Sequence, residues 1–247
     1  MVAIGGQIIY HLKNVHNFFI LTLTGNDDHR LGPSLINSIL KALSQVKAQA
    51  SAGSVLITTS HGKFFSNGFD LPWALAAGSL SAALDRLNHI INIFKLVVAE
   101  LLSLSMPTIA AITGHAAAAG FTLALSHDYL IMRRDRGVLY MRELDLGLTL
   151  PDYFMALFKS KTGSGLAMRN LILSGLKVRG EAAVRMGIVE SAHHGQDDVV
   201  SAAVRLGDQL VGRNWDGEVY AEIRKSLYPE VSEVLGLPGK AISISKL

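Results

Sequence analysis

The sequence predicts an α/β fold, and three observations carry that expectation. Strand and helix signals alternate through the first half, and the pattern turns helical beyond Pro151. Of the 247 residues, 49% are apolar and 17% charged. A chain so apolar is not disordered, because it can bury enough surface to offset the entropy of ordering.

The elements follow in order. Gln7 to Leu12 and Phe18 to Leu23 are short apolar runs joined at Asn14 and ended by the turn-forming Gly25-Asn26-Asp27-Asp28. Pro33 opens a helix whose Leu35, Ile36, Ile39, Leu40, Leu43 and Val46 keep helical spacing. Gly53 ends it, and Ser54 to Thr59 reads as a buried strand. A long amphipathic helix follows, with Leu84, Leu87, Ile91, Phe94, Val98 and Leu101 on one stripe. Such a stripe is ordinarily core, although with Trp73 it also suits the wall of an apolar pocket. Pro107 precedes a second buried strand, Thr108 to Ile112, and repeated strand-helix-strand units are the mark of an α/β domain. Gly163 to Leu173, Gly180 to Met186, Asp197 to Val211 and Asp216 to Leu235 then read as helices.

Composition excludes several classes. With no cysteine there is no disulfide framework, thiolate metal site or cysteine nucleophile. A net charge of +3 is too weak to argue for nucleic acid, but it suits a protein that handles small anions. Met1 to Gln7 lacks the basic and apolar regions of a secretory signal. Pro107 to Leu125 is almost wholly apolar or small, yet its alanines, Gly114, His115 and Gly120 favour a strand running into a packed helix over a membrane span. The final Ser245-Lys246-Leu247 is the tripeptide read by the peroxisomal import receptor, which implies the peroxisome matrix.

No nucleophile elbow, phosphate loop or zinc helix motif is present, and no metal site is expected. Gly163-Ser164-Gly165 follows no strand and lacks the third glycine of a dinucleotide fingerprint. His193-His194 reads as a pair of solvated loop histidines. Two glycine-bearing junctions remain: Gly62-Lys63-Phe64-Phe65-Ser66-Asn67-Gly68-Phe69-Asp70-Leu71, and Gly114-His115-Ala116-Ala117-Ala118-Ala119-Gly120-Phe121. Each leads from a strand into a helix, where backbone N–H groups are free. Taken singly, each reads as tight packing. Converging, they would form an oxyanion hole.

With Ser126-His127-Asp128-Tyr129 and Met141 to Leu148, the F-S-N-G-F-D-L and A-I-T-G-H-A-A-A-A-G segments resemble the enoyl-CoA hydratase/isomerase (crotonase) superfamily. F-S-N-G-x-D-L is most similar to its Δ3,Δ2-enoyl-CoA isomerases, and the S-K-L end is similar to the plant peroxisomal ones. The resemblance implies a ClpP/crotonase spiral of repeated ββα units over residues 1–185. A helical trimerisation region over 186–244 and the targeting tripeptide 245–247 would follow. It puts two oxyanion donors at the N–H of Phe69 and Ala119, and the base at Glu143. Family hydratases carry a second glutamate where this chain has Thr122. Hydration needs two carboxylates, whereas moving one proton from C2 to C4 needs one, so the pattern favours isomerisation over hydration. Asp152 is a rival base, one residue beyond a slot used by some peroxisomal isomerases.

The resemblance further implies an acyl-CoA substrate, with no separate cofactor because coenzyme A is part of that substrate. It would lie along Asp28 to Leu31 and along Ser66, Asn67, Gly68, Phe69, Asp70 and Leu71, with Arg30 touching a phosphate or ribose. Lys159, Lys161, Arg224 and Lys225 suit either the phosphates or a solvated face. A homotrimer or homohexamer is expected. Other acyl-CoA reactions (hydration, dienoyl-CoA isomerisation) and a non-catalytic acyl-CoA binding protein are the alternatives.

Overall fold

A computed structural model describes residues 2–4, 7–15 and 17–239. The targeting tripeptide Ser245-Lys246-Leu247 lies outside them. The chain enters through β1 (Val2–Ile4), β2 (Gln7–Val15) and β3 (Phe18–Leu23), followed by α1 (Pro33–Gln49). It then repeats one plan three times, placing a strand in a large sheet and a short strand in a small sheet before turning into helix. β4 (Val55–Ser60) and β5 (Phe64–Ser66) lead to α2 (Leu71–Leu75) and α3 (Leu80–Ser103). β6 (Thr108–Ile112) and β7 (His115–Ala117) lead to α4 (Ala119–Leu125), and β8 (Tyr129–Arg133) and β9 (Val138–Tyr140) lead to α5 (Asp152–Lys161). The remainder is α6 (Gly165–Leu173), β10 (Val178–Arg179), α7 (Gly180–Arg185), β11 (Ser191–His193), α8 (Gly195–Val211), α9 (Gly217–Leu227) and α10 (Pro229–Val234).

The large sheet has the order β1-β2-β3-β4-β6-β8-β11, antiparallel at β1-β2-β3 and parallel beyond. The small sheet has the order β10-β9-β7-β5, with β9, β7 and β5 parallel. β4 and β6 are buried along their whole length, as strands covered on both faces are. Their side chains alternate: Val55, Ile57, Ile109 and Ala111 meet Val199, Ala203 and Leu210 of α8, while Leu56, Ala110 and Ile112 join the main core under α1 and α3. The fold is therefore the ββα spiral expected from the resemblance.

Three readings of the sequence are corrected. The short strands β5 and β7 sit inside what reads as direct strand-to-helix junctions, because three residues are too few to show alternation. β11 incorporates His193, whose Nε2 lies 2.9 Å from the Ser191 hydroxyl, so this histidine is part of the sheet and only His194 is a loop residue. The single helix expected over Asp216 to Leu235 is two, broken at Tyr228 by Pro229, which has no N–H and bars its predecessor from helical geometry. Pro107–Leu125 is shared among β6, β7 and α4, and none of the described helices is long and apolar enough to cross a membrane.

A buried polar cluster ties the last helices to this spiral. Arg224 of α9 is 3% exposed and pairs with Asp128 at 2.7 Å. It also donates to the carbonyls of Leu101, Leu102, Leu104 and Met106 where α3 ends, satisfying acceptors a helix terminus leaves open. Burial alone would raise the Asp128 carboxyl, but the Arg224 charge and hydrogen bond, with Lys161 and the Thr108 N–H, hold it below the ordinary range. Lys161, pushed down to about 8 mainly by burial, donates to the His127 carbonyl at 2.7 Å. Lys225 donates to Glu222 and to the Pro238 carbonyl. Arg224 therefore does not lie on a solvated face, and Lys161 is partly buried with its ammonium bonded inside the chain. Only Lys159 of that group is exposed.

Removing Arg224 would leave Asp128 buried without its cation. Arg224→Ala is expected to lower the unfolding free energy in urea by about 3–5 kcal/mol, whereas Arg134→Ala, which opens the exposed pair with Glu181, should cost under about 1 kcal/mol. Because the folded-state affinity of Asp128 for a proton is depressed, its contribution is full above the unfolded-state pKa and is lost as pH falls through the folded one.

Candidate active site

The site is built on the parallel pairing of β5 with β7, which sets Phe64 opposite His115 and Ser66 opposite Ala116. At the C-terminal ends of both strands the chain turns sharply. After β5 the turn is made at Gly68, with φ +78°, and after β7 at Ala118, with φ 52° and ψ −124°. A positive φ is uncommon for alanine and stores strain. The two turns touch: a Cβ on Gly68 would lie 3.0 Å from the Ala117 carbonyl oxygen, 3.1 Å from the Ala118 Cβ and 3.5 Å from the Ala119 nitrogen. A Cβ on Gly120 would overlap the Ser66 carbonyl. Glycine is required at both places for the backbones to approach.

The consequence is a pair of unclaimed donors. The neighbouring N–H groups are spoken for: Gly68 donates to the Ser66 hydroxyl, Asp70 to Leu31 and Ala118 to Tyr140. The N–H groups of Phe69 and Ala119 donate to no acceptor among the described residues. Ala119 opens α4, so its N–H has no partner within the helix.

A cavity of about 350 Å³ lies beside these turns. The β5 turn contributes Asn67, Phe69 and Leu71, and the β7 turn Ala117 and Ala118. The N-terminal half of α3 contributes Leu84, Leu87, Asn88 and Ile91, and the segment after β9 contributes Arg142, Glu143, Leu146 and Leu148. The α3 stripe thus splits: Phe94, Val98 and Leu101 are core, while Leu84 is 49% exposed and lines the cavity with Leu87 and Ile91. Phe94 backs the wall, edge-on to Phe69 with ring centroids 5.5 Å apart.

Glu143 is the one acidic residue lining this cavity. Its Oε2 accepts the Arg142 N–H at 2.9 Å, and its carbonyl accepts the Leu148 N–H at 2.8 Å across a turn at Gly147. No cation forms an ion pair with it among the described residues, so neither Arg142 nor Arg169 neutralises it. Burial pushes its carboxyl above the ordinary glutamate value, against the smaller pull of the Arg142 and Glu143 N–H groups. Asp152 is exposed at the start of α5 and does not line the cavity. Thr122 is fully buried, its hydroxyl 3.4 Å from the Ala118 carbonyl.

The other candidates divide. Arg30 pairs with Asp28 at 2.9 Å and borders both this cavity and a second one of about 420 Å³ that also takes in Asp70 and Trp73. Trp73 therefore walls the second cavity, not the first. Asp70 caps α2 by accepting the Trp73 N–H at 3.2 Å. Ser66 borders neither cavity: it is fully buried and donates to the His29 carbonyl at 2.8 Å, bracing the loop from behind. His29 lies in the Asp28 to Leu31 turn singled out from the sequence, where it has a bracing role. Buried at φ 43°, with Nδ1 2.9 Å from the Phe64 carbonyl, it ties the Asp27–Leu31 turn to β5. The sequence analysis missed Asn88 and Thr149. Polar residues beside an apolar stripe carry no sequence signal of facing a cavity.

Residues 27–235 match the family described as enoyl-CoA hydratase/isomerase. The chain is 57% identical to enoyl-CoA delta isomerase 2, peroxisomal, of Arabidopsis thaliana, over 96% of this chain and 99% of that protein. It is 49% identical to enoyl-CoA delta isomerase 1, peroxisomal, of the same organism, over 89% of this chain and 90% of the relative. Among solved structures, an enoyl-CoA hydratase from Mycobacterium ulcerans superposes with a TM-score of 0.81 at 20% identity, covering 92% of this chain and 95% of the other. That last likeness bears on the fold.

The close approach of the two turns is directly testable. Gly120→Ala forces a methyl group into the Ser66 carbonyl and is expected to destabilise the protein by about 1–3 kcal/mol in thermal or urea unfolding. Ala118→Gly, which relieves a positive φ, should leave stability unchanged or raise it by under about 1 kcal/mol.

Proposed function

The chain belongs to the enoyl-CoA hydratase/isomerase family, and we propose a specific chemistry for it within that family. It is an enoyl-CoA delta isomerase, an enzyme that moves a carbon-carbon double bond within an acyl-CoA. In the reaction proposed here a 3-enoyl-CoA becomes a 2-trans-enoyl-CoA. The observation that carries this reading is a lone half-buried carboxylate, Glu143, sharing a cavity with the turns that carry two unpaired backbone N–H groups.

The thioester oxygen accepts from Phe69 N–H and Ala119 N–H. C2 of a 3-enoyl thioester lies between a carbonyl and an alkene, so its proton is the one a carboxylate can remove. Glu143 takes that proton, and the C2–H electron pair passes into a dienolate whose negative oxygen the two N–H groups stabilise. One such donor is worth roughly 10²–10³ in rate. Protonated Glu143 then returns the proton to C4, and the double bond is left between C2 and C3. Burial, by raising the carboxyl, suits it to hold the proton between the two steps. Thr122 supplies no second carboxylate to activate water, which disfavours hydration. Leu84, Leu87 and Ile91 would wall the acyl chain, with Arg30 and Asn67 at the coenzyme A end.

No cofactor is required beyond the coenzyme A of the substrate. The relatives' names and the Ser245-Lys246-Leu247 terminus support action in the peroxisome, in the β-oxidation of unsaturated fatty acids, with import by the receptor for that tripeptide. The homotrimer or homohexamer expected from the resemblance would use the C-terminal helices, where Ile223 and Leu227 are each more than 60% exposed.

Incubation with 3-hexenoyl-CoA should yield conjugated 2-enoyl product. Release of 3-hydroxyacyl-CoA, or tight binding without turnover, would sink the isomerase reading. Glu143→Gln is expected to lower kcat by about 10²–10⁴, while Asp152→Asn stays within about twofold; the reverse pattern would move the base to Asp152. Since the base works deprotonated, kcat/KM should fall as pH drops through the Glu143 pKa, with a midpoint above that of an ordinary glutamate.

A further inference from the structure

β5 and β7 are parallel, so the residues just before them gather at the far end of the pair from the two turns. A cavity of about 400 Å³ lies there, and its side-chain lining is entirely basic or neutral: Lys63, Arg133, Arg136, His115, Thr113 and Gln196. The backbone approaches closely as well. A Cβ on Gly114 would overlap the Lys63 carbonyl, and the buried Gly114 N–H donates to no acceptor among the described residues.

The walls are held in place by bonds that use little of this charge. Gln196 donates to the Gly62 carbonyl at 2.9 Å, fixing the start of α8 against the β5 entry. Arg133 pairs with Asp135 at 2.8 Å, and Asp135 also accepts the Gly195 N–H. Lys63 and Arg136 have no ion-pair partner among the described residues; Lys63 lies 5.3 Å from the Phe64 ring centroid. The His115 ring packs edge-on to Phe64 at 5.2 Å, and its Nδ1 is buried with no hydrogen-bond partner among the described residues. Burial is the main cause of its lowered proton affinity, and the charges of Lys63, Arg179 and Lys177 add to it. The mechanism proposed above uses none of these residues.

Two unpaired cations, an unsatisfied imidazole nitrogen and a free backbone N–H round one concavity lack a common negative partner. Low-dielectric walls focus such a field on an anion. A compact ammonium, a planar guanidinium and a glycine N–H bring more donors to one cavity than the two oxygens of a carboxylate take up, and so suit the several oxygens of a phosphate. The volume falls in the range that takes a small molecule rather than a bare ion. We propose that this cavity is a second ligand site, which binds the phosphate group of a small phosphate monoester between Lys63 and Arg136.

Calorimetric titration of the full-length protein at fixed ionic strength tests it, with inorganic phosphate and a phosphate monoester, glycerol 3-phosphate, as separate probes. Saturable binding of both is expected, and the tighter probe tells whether the organic part is recognised. Lys63→Gln combined with Arg136→Gln should weaken binding by about tenfold or more and leave turnover of 3-hexenoyl-CoA within about twofold. A response that never saturates, or an isotherm unchanged in the double variant, overturns the proposal. So does a fall in oligomeric mass by light scattering in the double variant without phosphate binding by the parent, which would assign these cations to a contact between copies of the chain. Because binding is read without the reaction, failure here and failure of the isomerase reading remain separate results.

Discussion

The structure turns on one steric constraint, the contact between the two backbone turns at the ends of β5 and β7. Gly120 rests on the Ser66 carbonyl at a distance that no side chain permits, and Gly68, at φ +78°, rests on Ala117–Ala119 with little room for one. The amides before the turns are taken by the Asp28 carbonyl, the Ser66 hydroxyl and the Tyr140 carbonyl, and the turns themselves leave Phe69 and Ala119 without an acceptor among the described residues. Unsatisfied N–H groups are costly when buried, and here the turns that carry them border a cavity. The large sheet, with β4 and β6 buried along their whole length, gives this arrangement a rigid base.

Around that contact the protein divides its apolar surface between stability and reception. α3 is the clearest case, since one stripe is core at Phe94, Val98 and Leu101 and cavity wall at Leu84, Leu87 and Ile91. Phe69 links the two, giving its N–H to the site and its ring to Phe94. Glu143 reaches the same cavity from an irregular segment held by a turn at Gly147, with no cation to neutralise it. Partial burial without a countercharge is what raises a carboxyl, so its position and its proton affinity have one cause.

Ionic groups that are fully buried serve a different end. Arg224, Asp128 and Lys161 join α9 and α5 to the end of α3 and the start of β8. Such clusters are weak evidence for net stability, but their loss is expensive because each remaining charge is stranded. Charge is thus spent in two ways in this chain. Near the C-terminal helices it is paired and buried; at the N-terminal ends of β5 and β7 it is gathered around a concavity, where Lys63 and Arg136 have no ion-pair partner among the described residues.

The α/β class, the bounds of β3 and β6 to the residue, and the main helices were legible in the sequence alone, because long periodic runs report their own buried face. The sequence also singled out both glycine-bearing turns, through residue types whose spacing is tied to backbone geometry, while Glu143 stood out only through the resemblance to the family. Only the tertiary structure decided the rest. Three-residue strands have no period to read, and nothing local shows that Leu84 faces a cavity while Phe94 faces the core. Nor can the chain near Arg224 announce a partner 96 residues away at Asp128. Periodicity records whether a residue leaves water, but which neighbour receives it is settled by contacts between segments far apart in the chain.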